Sequence, residues 1–135
     1  MAISPSEPEH DRLFKLAEAQ SVEQCLHSAR ETIIDFGAGQ SVYRQPELFK
    51  MVQSALEGHL VVLLLPSIDL EISRRTLYER CRYNLPDCAL TDFFLDNPSN
   101  RKLAQVVVYT NGKTPIEVAN EVLERVPEWA KRKLS

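Results

Sequence analysis

Four arginines, Arg74, Arg75, Arg80 and Arg82, crowd together just beyond the apolar run at residues 60–65. Arginine suits phosphate and carboxylate ligands because its planar fork donates two parallel hydrogen bonds. Asp69, Glu71 and Glu79 lie close enough to pair with the same arginines on a solvated helix face, and that is the simpler reading. A second candidate is Phe36-Gly37-Ala38-Gly39. Glycines let backbone N–H groups approach a ligand, and successive amides can cradle an anion. A tight turn between strand and helix uses the same residues, and chance matches to short glycine motifs favour the turn.

Gly112-Lys113-Thr114 has the ending of a phosphate loop without its beginning. The glycine required five residues earlier is replaced by Val107, inside an apolar run, and Pro115 opens a helix one residue too soon. These residues read as a turn and a helix cap. His10, His27 and His59 show no metal-ligand spacing, and Cys25, Cys81 and Cys88 contain no C-x-x-C pair. Trp129 with Lys131, Arg132 and Lys133 reads as a helix end packing its aromatic ring.

The chain that must position these groups has 135 residues, 44% hydrophobic and 26% charged, which suits one domain with a real core. A net charge of −3 gives no broad attraction for nucleic acid or anionic membrane. An odd cysteine count favours a reduced interior compartment, and no apolar run reaches membrane-spanning length. The expected location is cytoplasmic. Residues 1–10 lack the basic start and apolar stretch of a signal peptide and read as a flexible lead-in, with residues 11–135 as a single domain.

Apolar runs at residues 32–36, 60–65 and 106–109 predict three strands; the last two are continuous, as in parallel sheets covered on both faces. Helical spacing separates them. Leu13, Leu16, Ala17, Val22, Cys25, Leu26 and Ala29 predict one helix face. Pro46 opens a second helix with Leu48, Phe49, Val52 and Leu56 on its apolar side and Gly58 as its stop. A third helix starts near Ser67 and runs through Cys81. Thr114 and Glu117 form a capping box around Pro115, with Ile116, Ala119, Leu123 and Val126 as the apolar face. Alternating strands and helices predict a parallel α/β sheet of about three strands.

Taken in order, these segments resemble the shikimate-kinase-like P-loop kinases over residues 14–126. Phe14-Lys15-x-x-Glu18 is similar to that family's Phe-Arg-x-x-Glu helix, and Gly37-Ala38-Gly39 to its glycine loop. Val61-Val62-Leu63-Leu64, Arg74-Arg75-Thr76 and Arg82-Tyr83-Asn84-Leu85 resemble its fourth strand, adenine-side arginine and lid. Val107-Val108-Tyr109-Thr110 with Pro115 resembles its last strand and adenine loop. The resemblance implies a reduced three-layer α/β fold derived from the P-loop NTPase class. It also implies that Lys15, Gly37, Gly39 and Arg82 bind substrate, while Arg75 and Pro115 sandwich adenine.

Two departures shape the expected function. Asp96 falls near the position of the family's substrate-carboxylate arginine and would repel an acidic substrate. No counterpart of the phosphate loop or the Asp-x-Asp strand precedes Phe14. The expectation is therefore a non-catalytic homologue with a residual small-anion or adenine pocket, needing no cofactor alone. If another segment or chain supplies the loop, the expectation becomes an ATP- and magnesium-dependent small-molecule kinase. A third possibility is a protein-interaction module. In each case loss of the central strand favours direct pairing of residues 32–36 with 60–65, Ile34 opposite Val62. It also favours a homo-oligomer or a partner chain.

Overall fold

Short local signals, a capping side chain or a proline, mark the starts of several helices. In the computed structural model, which describes residues 7–134, the chain divides after Gly58 into two compact units.

The first unit contains α1 (Glu7–Ser28) and α2 (Pro46–Ala55), packed against each other. Glu7–His10, within the expected lead-in, already belong to α1, and residues 1–6 lie outside the described residues. Pro46 occupies the first turn of α2, where its missing N–H costs nothing. Ala19, Val22 and Leu26 of α1 are buried, as are Val42, Tyr43, Leu48, Val52 and Leu56. Of the predicted face, Val22 and Leu26 are buried and Ala29 is half-buried, while Leu13, Leu16, Ala17 and Cys25 are exposed, so the buried stripe of α1 coincides with the predicted one only in part. Its phase runs Lys15, Ala19, Val22, Leu26, and a lysine at one end disguises it.

Residues 32–36 form no strand. Ile33 is 98% exposed while Ile34 and Phe36 are half-buried, and no ladder among the described residues includes them. An apolar run becomes a strand only when neighbouring backbone pairs with it. Val62 pairs with Val106 within the second unit, and Ile34, expected opposite it, lies in no strand. The mixed α/β character stands; the sheet has two strands rather than three among the described residues.

The second unit contains that sheet. β1 (Val62–Leu65) and β2 (Val106–Tyr109) run parallel, with Val62, Leu63, Leu64 and Leu65 opposite Val106, Val107, Val108 and Tyr109. Between them come α3 (Leu70–Arg80), α4 (Leu85–Asp96) and α5 (Ser99–Leu103); α6 (Pro115–Arg125) and α7 (Glu128–Leu134) follow. Asp69 caps α3, Asn84 caps α4, and Thr114 with Glu117 completes a capping box on α6. α6 packs on β2, and the Arg125 guanidinium donates to the Val107 carbonyl on the outer edge of that strand. Ile116, Ala119 and Leu123 of α6 are exposed, however; Val118 and Val122 are the half-buried side chains.

The turn from β1 into α3 is fixed by one buried hydroxyl. Ser73 Oγ accepts the Ser67 N–H at 2.9 Å and donates to the Ser67 carbonyl at 2.8 Å. Ser73 is fully buried, so Ser73→Ala leaves two backbone groups of Ser67 without this partner. The expected cost is about 1–3 kcal/mol, read as a lower urea midpoint with an unchanged slope.

Candidate functional site

The first unit brings two of the predicted residues together. Lys15 Nζ donates to the Gly39 carbonyl at 2.8 Å and to Glu18 Oε2 at 2.8 Å, and it lies 5.1 Å from the centre of the Tyr43 ring. Its side chain is only 12% exposed. The glycine segment turns back on itself. The Gly37 N–H donates to Gln40 Oε1 at 2.8 Å, and the Gln40 N–H donates to the Gly37 carbonyl at 3.0 Å. Gly39 therefore presents a carbonyl to a cation, the opposite polarity from an anion cradle. The Lys15 ammonium has its carboxylate, its carbonyl and its ring already in place. Tyr43 Oη donates to the Gln40 carbonyl, and burial, then the Glu18 charge, raise its pKa above the ordinary phenol value. This cluster holds a turn against α1.

The second unit places Arg75, Arg82 and Pro115 on its surface. Arg82 and Tyr83 both have φ of 55°, in the left-handed region that costs an L-residue about 1–2 kcal/mol. Their backbone N–H groups bond to the Glu79 and Tyr78 carbonyls at 3.1 and 2.9 Å. The segment resembling a lid is thus the reversal from α3 into α4. Arg75 lies beside Thr76, whose Oγ1 accepts from Asn111 Nδ2 at 3.4 Å. That bond and the Asn111 N–H to Pro66 carbonyl bond at 3.0 Å join α3 and the β1–α3 turn to the β2–α6 turn. They meet at the carboxyl end of both strands, the side on which open α/β sheets receive ligands.

The strongest polar cluster centres on Arg74. Its Nη1 reaches Asp92 Oδ1 at 2.5 Å, its Nη2 reaches Asp96 Oδ1 at 2.6 Å, and its Nε reaches Glu71 Oε1 at 3.3 Å. The Tyr78 hydroxyl also donates to Asp92. That hydrogen bond, then Arg74, lowers the Asp92 pKa; the bond to Asp92 first, and burial second, raise that of Tyr78. An ionised Asp92 and a protonated Tyr78 clamp two helices and offer no proton near neutral pH. Tyr78 and Asp92 did not stand out in the sequence. The usable signal was Glu71, Arg74 and Tyr78 at three- and four-residue steps on one helix, facing Asp92 and Asp96 one turn apart on another.

Among the described residues no group of three His, Cys, Asp or Glu side chains is placed to hold a metal ion, and no helix is long and apolar enough to cross a membrane. No protein-family model matches the chain, and neither a curated protein nor a solved structure matches it.

The Asp92 geometry sets a pH dependence. Its folded pKa lies below the unfolded value of about 3.9, so the folded state binds fewer protons. The contribution is complete above the unfolded value and is lost as pH falls through the lowered folded value. Asp92→Asn removes that proton linkage. Urea midpoints taken between roughly pH 5 and pH 2.5 should fall more steeply for the wild type than for the variant. Equal slopes would mean that Asp92 is not held in its charged form.

Proposed function

We propose that the chain is a binding module built on the carboxyl-terminal part of a shikimate-kinase-like α/β fold, and that it works through the apolar margin of the β1–β2 sheet. One observation carries this reading. Paired residues of a parallel ladder share a face, so Leu64 and Val108 lie on the same side; Val108 is fully buried, yet Leu64 is 52% exposed. Cover over β2 stops short of β1. The carbonyls of Val61 and Leu65 point toward β2, where Gln105, Val106 and Thr110 donate to them. By alternation the peptide groups of Val62 and Leu64 face the outer edge, where no strand of the described residues pairs with them.

The occupant this edge suits is a second copy of itself. Residues 60–65 contain no charge and no proline, the usual devices that keep edge strands apart. Two such strands related by a two-fold axis would pair antiparallel and continue the sheet. Sedimentation over a concentration series should show a reversible dimer. Leu64→Lys, at a position already half in water, should weaken association at least about tenfold, roughly 1.4 kcal/mol, while the circular dichroism stays unchanged. A compact monomer at every concentration would overturn the proposal.

A second reading, an adenine-nucleoside site, is favoured by the Asn111–Thr76 tie at the carboxyl end of the strands, with Arg75 and Pro115 exposed nearby in sequence. The small-anion part of the expected pocket has less support, because Lys15 and the Gly37 N–H are engaged within the chain. Adenosine and ATP should then bind with similar weak affinity, and Arg75→Ala should weaken both. ATP binding tighter by roughly 100-fold, about 2.8 kcal/mol, would instead reveal a phosphate site.

A further inference from the structure

The reversal between α3 and α4 brings two thiols together. Cys81 caps the carboxyl end of α3, Cys88 lies in α4, and the left-handed pair Arg82–Tyr83 folds one back on the other. Their Sγ atoms are 3.8 Å apart, with Cys81 half-buried and Cys88 buried. A disulfide has an S–S length of about 2.0 Å, so the sulfurs need to close by roughly 1.8 Å. The Arg74 clamp to Asp92 and Asp96 keeps the two helices in register for that step. Cys25, the remaining cysteine, is exposed on α1.

We propose that Cys81 and Cys88 form an oxidisable dithiol that hydrogen peroxide converts to a disulfide across the α3–α4 turn. Cys81, the more accessible of the two, attacks the peroxide; its O–O bond breaks, water leaves and Cys81 becomes a sulfenic acid. The Cys88 sulfur then attacks the Cys81 sulfur and expels the second water. Two thiols lose two electrons and two protons, and hydrogen peroxide becomes two water molecules. Burial, then the neighbouring Cys81, raise the Cys88 pKa, which suits Cys88 to the resolving step rather than the first attack. The Cys81 thiol leaves its contact with the Tyr78 carbonyl, at 3.3 Å, to make the bridge. Closing so short a loop pins α3 to α4 and restricts the reversal that carries Arg82 and Tyr83. Thiol–disulfide exchange at the half-buried Cys81 sulfur releases it.

The test uses the whole protein, freshly reduced, treated with hydrogen peroxide and quenched with iodoacetamide. The expected product is a monomer lighter by two hydrogens with one alkylated cysteine, Cys25, and a peptide map linking Cys81 to Cys88. Cys25→Ser should keep the bridge. Cys88→Ser should abolish it and leave a sulfenic acid on Cys81 that dimedone captures. Recovery of all three thiols after peroxide would overturn the proposal. So would a bridge through Cys25, or conversion of Cys81 to sulfinic acid with Cys88 still alkylatable.

Discussion

One guanidinium shared among three carboxylates organises the second unit. Arg74 grips Asp92 and Asp96, one turn apart on α4, while its Nε stays with Glu71 on its own helix. Isolated surface ion pairs contribute little, about 0–1 kcal/mol. Here the fork is occupied from both ends, its side chain is mostly buried, and Tyr78 adds a further bond to Asp92. The reversal at Arg82 and Tyr83 sets two adjacent L-residues in a disfavoured conformation. Such strain persists only where neighbouring structure over-determines it. The α3–α4 clamp supplies that constraint, and the proximity of Cys81 to Cys88 follows from it.

The same accounting applies to the ligand groups expected from the resemblance, two of which already have partners within the chain. A lysine near a glycine turn suggests recognition, but the ammonium meets a carbonyl and a carboxylate of the chain itself. Arg74 belonged to the basic cluster and likewise meets acids on two helices. Asp96, which would repel an acidic substrate at the position the resemblance gives it, faces Arg74 instead. Cations with local partners are structural unless a ligand competes with bonds already made.

Legibility in the sequence followed how local each determinant was. Pro46 at the start of α2 and the Thr114–Glu117 box on α6 act within one turn, and both were readable. The helix expected from near Ser67 through Cys81 was readable to within three residues, but Asp69, which caps it, was read only as an ion-pair partner. α4 was hidden because residues 82–85 resemble a lid, although Asn84 followed by Pro86 is itself a helix-start signal. Residues 32–36 were read as a strand although Thr32 and Asp35 interrupt the run, whereas the continuous run at 60–65 has β2 beside it to pair with. The buried stripe of α1 was read correctly at Val22 and Leu26 and misjudged nearer its start, where Lys15 shares its phase. The Cys81–Cys88 approach was invisible because it depends on the direction of the intervening turn. Of the site residues, only the approach of Lys15 to Gly39 was foreseeable as a contact, and its polarity was not.

What remains after these polar groups are satisfied is apolar. A two-stranded sheet is marginal in water without cover, and α6 covers β2 while turning Ile116 and Leu123 outward. Ile68 and Ile72, beyond the carboxyl end of β1, are exposed as well. Scattered apolar side chains on a surface require no explanation. These, however, accompany an uncharged strand whose outer peptide groups have no strand partner among the described residues. The helical clamp maintains the second unit, so the β1 margin can stay uncovered without unfolding it. A surface of this kind gains stability from an added strand because the apolar cover and the peptide partners it lacks arrive together.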